Sequence, residues 1–295
     1  VVSGPLNART DPETGLRFYS WNGREYPSVT SIRKLVGMPY PLHWWALNRV
    51  VDRAITDHDL IGQMLTRGRR KYERKRDQNV ITEVAKHLRA ASTEERDAAG
   101  DRGDRAHLAI AAGLRPEQVD PDIFGHVVQF NDFMQTKGAS MVWQERQIWN
   151  LTYGYAGSAD ALMRFPSGRL FCVDYKTSRG VYLEHAIQLV AYGMGEFVGQ
   201  NGVIDRSATA HLLAADGLGI LHLSESGWEW IEVTPDPDIF RAFIGALAFA
   251  RFLHSKGNIL DPLVAHRERG GTLVPALATS LRLHPGTANN KEGTP

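Results

Sequence analysis

The spacing of apolar residues divides the chain near Ser140. Before that point helical periods dominate. Leu42, Trp45, Ala46, Val50 and Ala54 recur at three- and four-residue intervals, which predicts an amphipathic helix over 42–57. A second helical stretch is read over 61–88. Ser92-Thr93-Glu94-Glu95 has the form of a capping box, so a new helix is predicted from there through His107 to about Gly113. Another spans 122–137 and is closed by Gly138 as a cap. Upstream, alternation over 16–26 around Asn22-Gly23 predicts a hairpin. A short helix over 31–37 follows, broken at Pro39–Pro41. Residues 1–15 are polar and rich in turn formers and are read as loose.

After Ser140 the period shortens to two. Strands are predicted over 141–151, 155–165 and 169–176, the last two joined by the compact turn Pro166-Ser167-Gly168. A helix over 181–198 follows, then strands over 208–215, 218–223 and 228–233, then an apolar helix over 238–253. Beyond Gly257 the signal fades, and 258–295 reads as a tail. The predicted fold is α/β: a mostly helical part over 16–138 and a core over 139–257, forming one compact domain. The strand–strand–helix–strand run at 155–215 is its centre.

The 295 residues suffice to bury a core, and 43% hydrophobic with 23% charged is ordinary for a globular chain. A net charge of +1 gives no argument for a polyanionic partner, so any such argument is local. The run 67–76 supplies one. Arg67, Arg69, Arg70, Lys71, Arg74, Lys75 and Arg76 are candidate contacts to DNA phosphates, with Tyr72 among them to stack on a base. Cys172 is the only cysteine, which excludes an intramolecular disulfide and a four-cysteine iron–sulfur cluster and fits a reducing compartment. No apolar run is long enough to cross a bilayer and no signal-peptide pattern opens the chain, so the expectation is a cytoplasmic protein without a membrane partner. No Gly-x-x-x-x-Gly-Lys-Ser/Thr loop is present, so no nucleotide-driven motor is expected.

The chemistry concentrates in two strands. Gly157-Ser158-Ala159-Asp160 places an acid on the first, and Phe171-Cys172-Val173-Asp174-Tyr175-Lys176 ends the second in acid, any residue, lysine. If these strands pair across 166–168, Asp160 and Asp174 meet near one end of the sheet. Two such carboxylates repel unless a cation lies between them, and hard oxygen ligands suit Mg²⁺ or Mn²⁺. Lys176 lies two residues from Asp174, hence on the same strand face, where it holds a water or offsets phosphate charge. Gln188 and Tyr192 share one face of the following helix and are placed to reach Lys176, a ligand or the phosphate backbone.

These motifs resemble the PD-(D/E)XK nuclease superfamily, and within it the RecB-like exonuclease branch in its stand-alone, phage-type form. The likeness rests on Gly157–Asp160, Asp174-Tyr175-Lys176-Thr177-Ser178, Gln188-Leu189-Val190-Ala191-Tyr192, the upstream Arg102–His107 and the opening Tyr26-Pro27-Ser28-Val29-Thr30. It implies a restriction-endonuclease-like core, a mixed central sheet flanked by helices, behind a helical N-terminal extension. It further implies a metal held by Asp160, Asp174, the main-chain carbonyl of Tyr175 and His107, with Glu145 on the preceding strand as a further candidate. Lys176 positions the water, and Gln188 and Tyr192 flank the site. The implied activity is DNA hydrolysis leaving 5′-phosphates, in recombination, repair or phage DNA processing, beside an annealing protein or helicase. An endonuclease of the same superfamily and a non-cleaving DNA-binding recombination partner remain the alternatives.

Overall fold

The computed structural model describes residues 8–12, 14–35, 40–72 and 79–256. The hairpin forms where Asn22-Gly23 predicts it. Strands β1 (Ala8–Thr10), β2 (Arg17–Trp21) and β3 (Arg24–Pro27) make a small antiparallel sheet in that order. Asn22 and Gly23 both take positive φ, 48° and 74°, as a two-residue turn between twisted strands requires. β1 lies in the segment read as loose; it pairs along β2, and Arg9 joins Glu25 of β3 in an ion pair. Helix α1 (Val29–Lys34) starts two residues before the predicted 31. Ser28 caps it, its hydroxyl accepting from the Ser31 N–H at 3.0 Å.

Four longer helices follow: α2 (Tyr40–Thr56), α3 (His58–Tyr72), α4 (Asn79–Ala111) and α5 (Pro121–Lys137), with a 3-10 turn at Pro116–Gln118. Pro41 does not break the chain but falls in the first turn of α2, where a missing N–H costs nothing. The capping box at Ser92 is also corrected, because α4 runs through it as one helix of 33 residues. The Ser92 and Thr93 hydroxyls turn back to the Arg89 carbonyl at 3.4 and 3.5 Å, the bond these side chains make inside a helix. Contacts on both sides of Ser92 hold α4 together there: His87 to Asp57, in the turn between α2 and α3, at 2.8 Å and Glu94 to Arg53 of α2 at 2.8 Å. α5 ends at Gly138, φ 59°, as predicted.

The second half contributes β4 (Ser140–Asn150), β5 (Tyr155–Arg164), β6 (Leu170–Lys176), α6 (Leu183–Gly193), β7 (Phe197–Gln200), β8 (Val203–Ile204), α7 (Arg206–Leu213), β9 (Gly217–Leu223), β10 (Trp228–Val233) and α8 (Pro237–Lys256). The seven strands β4 to β10 form one sheet in the order β10-β9-β6-β5-β4-β7-β8. β6 and β9 are parallel and the other neighbours antiparallel, so the sheet is mixed. Two elements differ from expectation. The helix predicted over 181–198 stops at Gly193, and Phe197–Gln200 becomes a strand beside β4. The strand predicted over 208–215 is helix α7. Asp205 caps it by accepting from the Ala208 N–H at 2.9 Å, and its buried residues, Ala208 and Leu212, are spaced by four.

Alternation along β6 divides the core. Leu170 and Cys172 face a layer built by α1, α6 and α8, with Val29, Ile32, Ile187, Val190, Phe243 and Leu247 buried in it. Phe171, Val173 and Tyr175 face Phe130 and Phe133 of α5 and Ile110 of α4. The protein is therefore α/β, a mixed seven-stranded sheet flanked by helices. The chain as far as Arg251 makes one unit; of the second, Phe252–Pro295, only the end of α8 is described. The predicted tail over 258–295 lies outside the described residues. Among the described residues no helix is long and apolar enough to cross a membrane.

Gly157 on β5 lets α1 and α6 close onto the sheet. A Cβ there would stand 2.6 Å from the Tyr192 ring and 3.1 Å from Val29. Gly157→Ala is expected to cost about 1–3 kcal/mol by overpacking. Urea unfolding should show a lower midpoint at unchanged slope; an unchanged midpoint would contradict this packing.

Candidate active site

Strand register carries three acids into one row. β4 and β5 pair Gln144 with Ala161 and Arg146 with Ala159, which sets Glu145 opposite Asp160. β5 and β6 pair Ala161 with Val173, so one step further on Asp160 faces Asp174. The register thus carries Asp160 and Asp174 to neighbouring positions at the end of the β5–β6 pairing, with Glu145 beyond Asp160 on β4; Asp174 is not among the three residues whose ligand atoms cluster. Glu145 has φ 48°, a left-handed backbone that non-glycine residues adopt only where the surroundings hold them there.

His107 enters from α4. Its Nδ1 lies 3.5 Å from Asp160 Oδ1, and its ring stands edge-on to buried Tyr175 with centroids 5.6 Å apart. The helix approaches closely because residue 103 is glycine: a Cβ there would be 3.0 Å from Thr177 Oγ1, just past the end of β6. His107, Glu145 and Asp160 each offer one ligand atom, and the three atoms lie within 4.8 Å of one another. Asp160 Oδ2 accepts the Tyr175 N–H at 2.6 Å, which fixes its carboxylate. Ser158, which the sequence reading did not single out, donates to Glu145 Oε2 at 3.4 Å.

Asp174 is fully buried. Lys176 Nζ makes an ion pair with its Oδ2, while Oδ1 has no partner among the described residues. An orphaned buried carboxylate oxygen is costly unless something cationic completes it. Burial, reinforced by the negative charge of Asp160, pushes Asp174 up to about 6 against the pull of Lys176. Glu145 is an exposed residue whose carboxyl end turns into the row; desolvation there and the charge of Asp160 push it up to about 7. Burial alone would also raise Asp160, but His107, Lys176 and the Tyr175 N–H hold it below the usual carboxylate range. Burial works against protonation of His107, but the charge and hydrogen bond of Asp160 together with the charge of Asp174 outweigh it, so the imidazole is raised.

Gln188 and Tyr192 lie where the helix was expected, but both are buried, and the Gln188 amide donates to the Tyr192 hydroxyl at 3.0 Å. With 1% exposure Tyr192 does not reach a phosphate backbone, so its expected contact is corrected to support: its ring packs at Gly157 beneath the acids. Of the basic run, Arg67, Arg69, Arg70 and Lys71 fall on the last turns of α3; Arg74, Lys75 and Arg76 lie outside the described residues.

No family model matches the chain, and no curated protein does. Among solved structures it is similar to one titled "Crystal structure of SSO0001", at 16% identity with a TM-score of 0.28. That likeness covers 43% of this chain and 57% of the other, so the chain spans little more than half the length of the structure it matches.

The shifted groups make stability depend on pH. Asp174, Glu145 and His107 all bind protons more tightly folded than unfolded. From the ordinary carboxylate range up to about 7 the folded chain therefore holds more protons, and stability falls as pH rises. Asp160 has the opposite sign, but its contribution is lost only in acid below that window; His185, which burial holds down at about 3, also has the opposite sign and offsets part of the gain below the ordinary histidine range, where the two raised carboxyls and His107 act together against it. In EDTA the melting temperature should rise as pH is lowered from about 8 to about 5.5. Saturating Mg²⁺ should flatten the dependence, because a cation then balances the same carboxylates. A metal-free melting temperature that climbs with pH over this range would contradict the assignment.

Proposed function

We propose that this protein is a divalent-metal-dependent DNA nuclease with a restriction-endonuclease-like core. We take it to act as an exonuclease of the RecB-like kind that leaves 5′-phosphates, in recombination, repair or phage DNA processing. The observation that carries the reading is the row Glu145–Asp160–Asp174, with an unpartnered buried oxygen at one end and Lys176 beside it.

The donor set fits Mg²⁺ or Mn²⁺. Carboxylate oxygens dominate it, one imidazole completes it, and the single cysteine, Cys172, is buried and held as the neutral thiol by burial and the charges of Asp174 and Asp160, so it offers no thiolate to a softer ion. Asp160, Asp174, Glu145 and His107 would hold the ion, with the Tyr175 carbonyl as the family resemblance implies. Bound there, it supplies positive charge against the phosphate and acidifies a water.

The chain's own residues do the rest. The Tyr175 N–H and His107 keep Asp160 ionised and oriented. Lys176 extends from β6 with 14% of its side chain exposed, so its ammonium lies between the buried acid and solvent. From there it fixes the attacking water and offsets charge on the scissile phosphate. Gln188 and Tyr192 hold each other and form the floor below the acids, which keeps the row from relaxing.

The test compares linear duplex, closed circular duplex and single-stranded DNA, each with Mg²⁺, Mn²⁺ or EDTA. Metal-dependent loss of linear DNA alone supports the exonuclease; cutting of closed circles moves the reading to an endonuclease. Lys176→Ala should lower turnover by roughly a hundredfold or more while DNA binding survives. Wild-type turnover in that variant would remove Lys176, and with it the reading, from consideration.

A further inference from the structure

We infer that Arg179, in the loop that leaves β6 after Lys176, rests on Glu95 in the free protein and moves onto a backbone phosphate of bound DNA. The inference rests on the nuclease reading of the neighbouring site and adds a second point at which the strand held at Lys176 is gripped.

The backbone that carries Arg179 is held from α4, from β9 and from within the loop. Thr177 lies against α4, where a Cβ on Gly103 would stand 3.0 Å from its Oγ1. The Ser178 carbonyl meets Nε2 of His222 at 2.6 Å, and the Ser178 hydroxyl donates to the Gly180 carbonyl at 2.8 Å. His222 is itself the β9 partner of Lys176 in the parallel register. The loop is thus fixed to the strands that fix Lys176. Three residues span at most about 10 Å, so the base of the Arg179 side chain stays close to that lysine.

The side chain, in contrast, is held weakly. It is 75% exposed, and its Nη2 donates to Glu95 Oε1 of α4 at 3.1 Å. An ion pair so open to water adds little stability, because solvent screens it and a long side chain loses freedom in making it. Glu95 does not depend on Arg179. Its other oxygen, Oε2, is met by Nη1 of Arg49 on α2 at 3.5 Å, and Arg49 also holds Asp52 at 2.6 Å. The charges are matched in the free protein, two arginines against two acids. When Arg179 leaves, Glu95 keeps a cation beside it. Of the two arginines that share this carboxylate, the one that can leave is the more exposed, since Arg49 has 34% of its side chain in solvent.

A structural tie between the loop and α4 is the plainer account of the pair. The loop already touches α4 at Gly103 and bonds β9 through His222, so the pair adds no connection that the fold lacks. A guanidinium carries five N–H donors in a fixed fork, and a phosphate accepts two of them side by side. That bond is stronger than the single contact to Glu95, so a phosphate within reach displaces the carboxylate. The resting partner of Arg179 is Glu95 and not an acid of the row, so the exchange leaves the row free for its cation. A strand with its scissile phosphate at Lys176 brings a neighbouring phosphate to this loop.

The full chain would be assayed for cleavage of linear duplex DNA in Mg²⁺, and for binding of fluorescein-labelled duplex in Ca²⁺ by anisotropy over a series of salt concentrations. Arg179→Gln should raise KM about tenfold while kcat stays within about twofold. The slope of log K against log salt should become shallower by about 1. Arg179→Lys should keep the slope and recover part of the affinity. Glu95→Gln separates the two accounts. It breaks the same pair but frees Arg179, so KM should stay level or fall and the slope should not change. Equal losses in Glu95→Gln and Arg179→Gln mark a structural tie and overturn the proposal, as does Arg179→Gln with wild-type KM and slope. If Glu95→Gln fails to fold by thermal melting, the slope of Arg179→Gln decides, because losing a structural tie does not change the number of phosphates neutralised. Wild-type cleavage beside an unchanged slope leaves the nuclease reading standing without Arg179. A wild type that binds but never cuts removes the nuclease reading and leaves the slope to judge Arg179; one that neither cuts nor binds DNA overturns both.

Discussion

Three carboxylates on neighbouring strands, placed side by side where the β5–β6 pairing ends, are the constraint around which the rest of the protein is arranged. Cross-strand neighbours stand roughly 5 Å apart, and two charges at that distance repel by about 3 kcal/mol at an effective dielectric near 20. Asp174 adds the cost of full burial with one oxygen unmatched. Glu145 adds a left-handed backbone, of order 1–3 kcal/mol for a non-glycine residue. Three unfavourable features in one row do not offset each other. They are sustained by the surrounding fold, and together they define a place where positive charge is strongly favoured.

The fold supplies the sustaining contacts from both faces of the sheet. On one face Tyr192 and Gln188 are locked together under Gly157, in the layer that holds Phe243 and Leu247 of α8. On the other, Phe130 of α5 and His107 of α4 stand edge-on to Tyr175, which fixes the strand residue between the acid and the lysine. Lys176 and His107 then flank the row, the first on Asp174 and the second on Asp160. Each acid is thereby held in a different electrostatic state. Asp160 stays ionised, whereas Asp174 and Glu145 remain near the point of taking a proton.

What the sequence made legible was local. Asn22-Gly23 names its own turn, Gly138 its own cap, and Asp174-x-Lys176 its own strand face, because each depends on residues a few positions apart. The readings that failed depended on partners elsewhere. Ser92 looked like a helix start, but contacts from Arg53 of α2 and from Asp57 in the turn after it, one on each side of Ser92, carry α4 through. The helix after Tyr182 ran too far because an apolar strand at Phe197, paired with β4, continues its hydrophobic signal. Glu145 shows the same limit within the site. Its place in the row follows from strand register, which no spacing in its own strand reveals. His107 was named through the resemblance carried by Arg102–His107, and the contact that brings it to Asp160 depends on the close passage of α4 by Thr177 that Gly103 permits.

The segment Tyr26–Thr30 joins these lines of argument. Read alone it is a turn-and-helix start. In the structure Ser28 caps α1, bridges to β5 at Ala156 and donates its N–H to the Arg17 carbonyl at 2.8 Å, which ties it to the small sheet. Val29 fills the space that Gly157 leaves open. The same few residues therefore close one face of the sheet beneath the acids. Because α1 is tied to β5 at Ala156 and Gly157, a shift that loosens α1 disturbs the strand that bears Asp160, so the place of the acids is set by packing against their mutual repulsion.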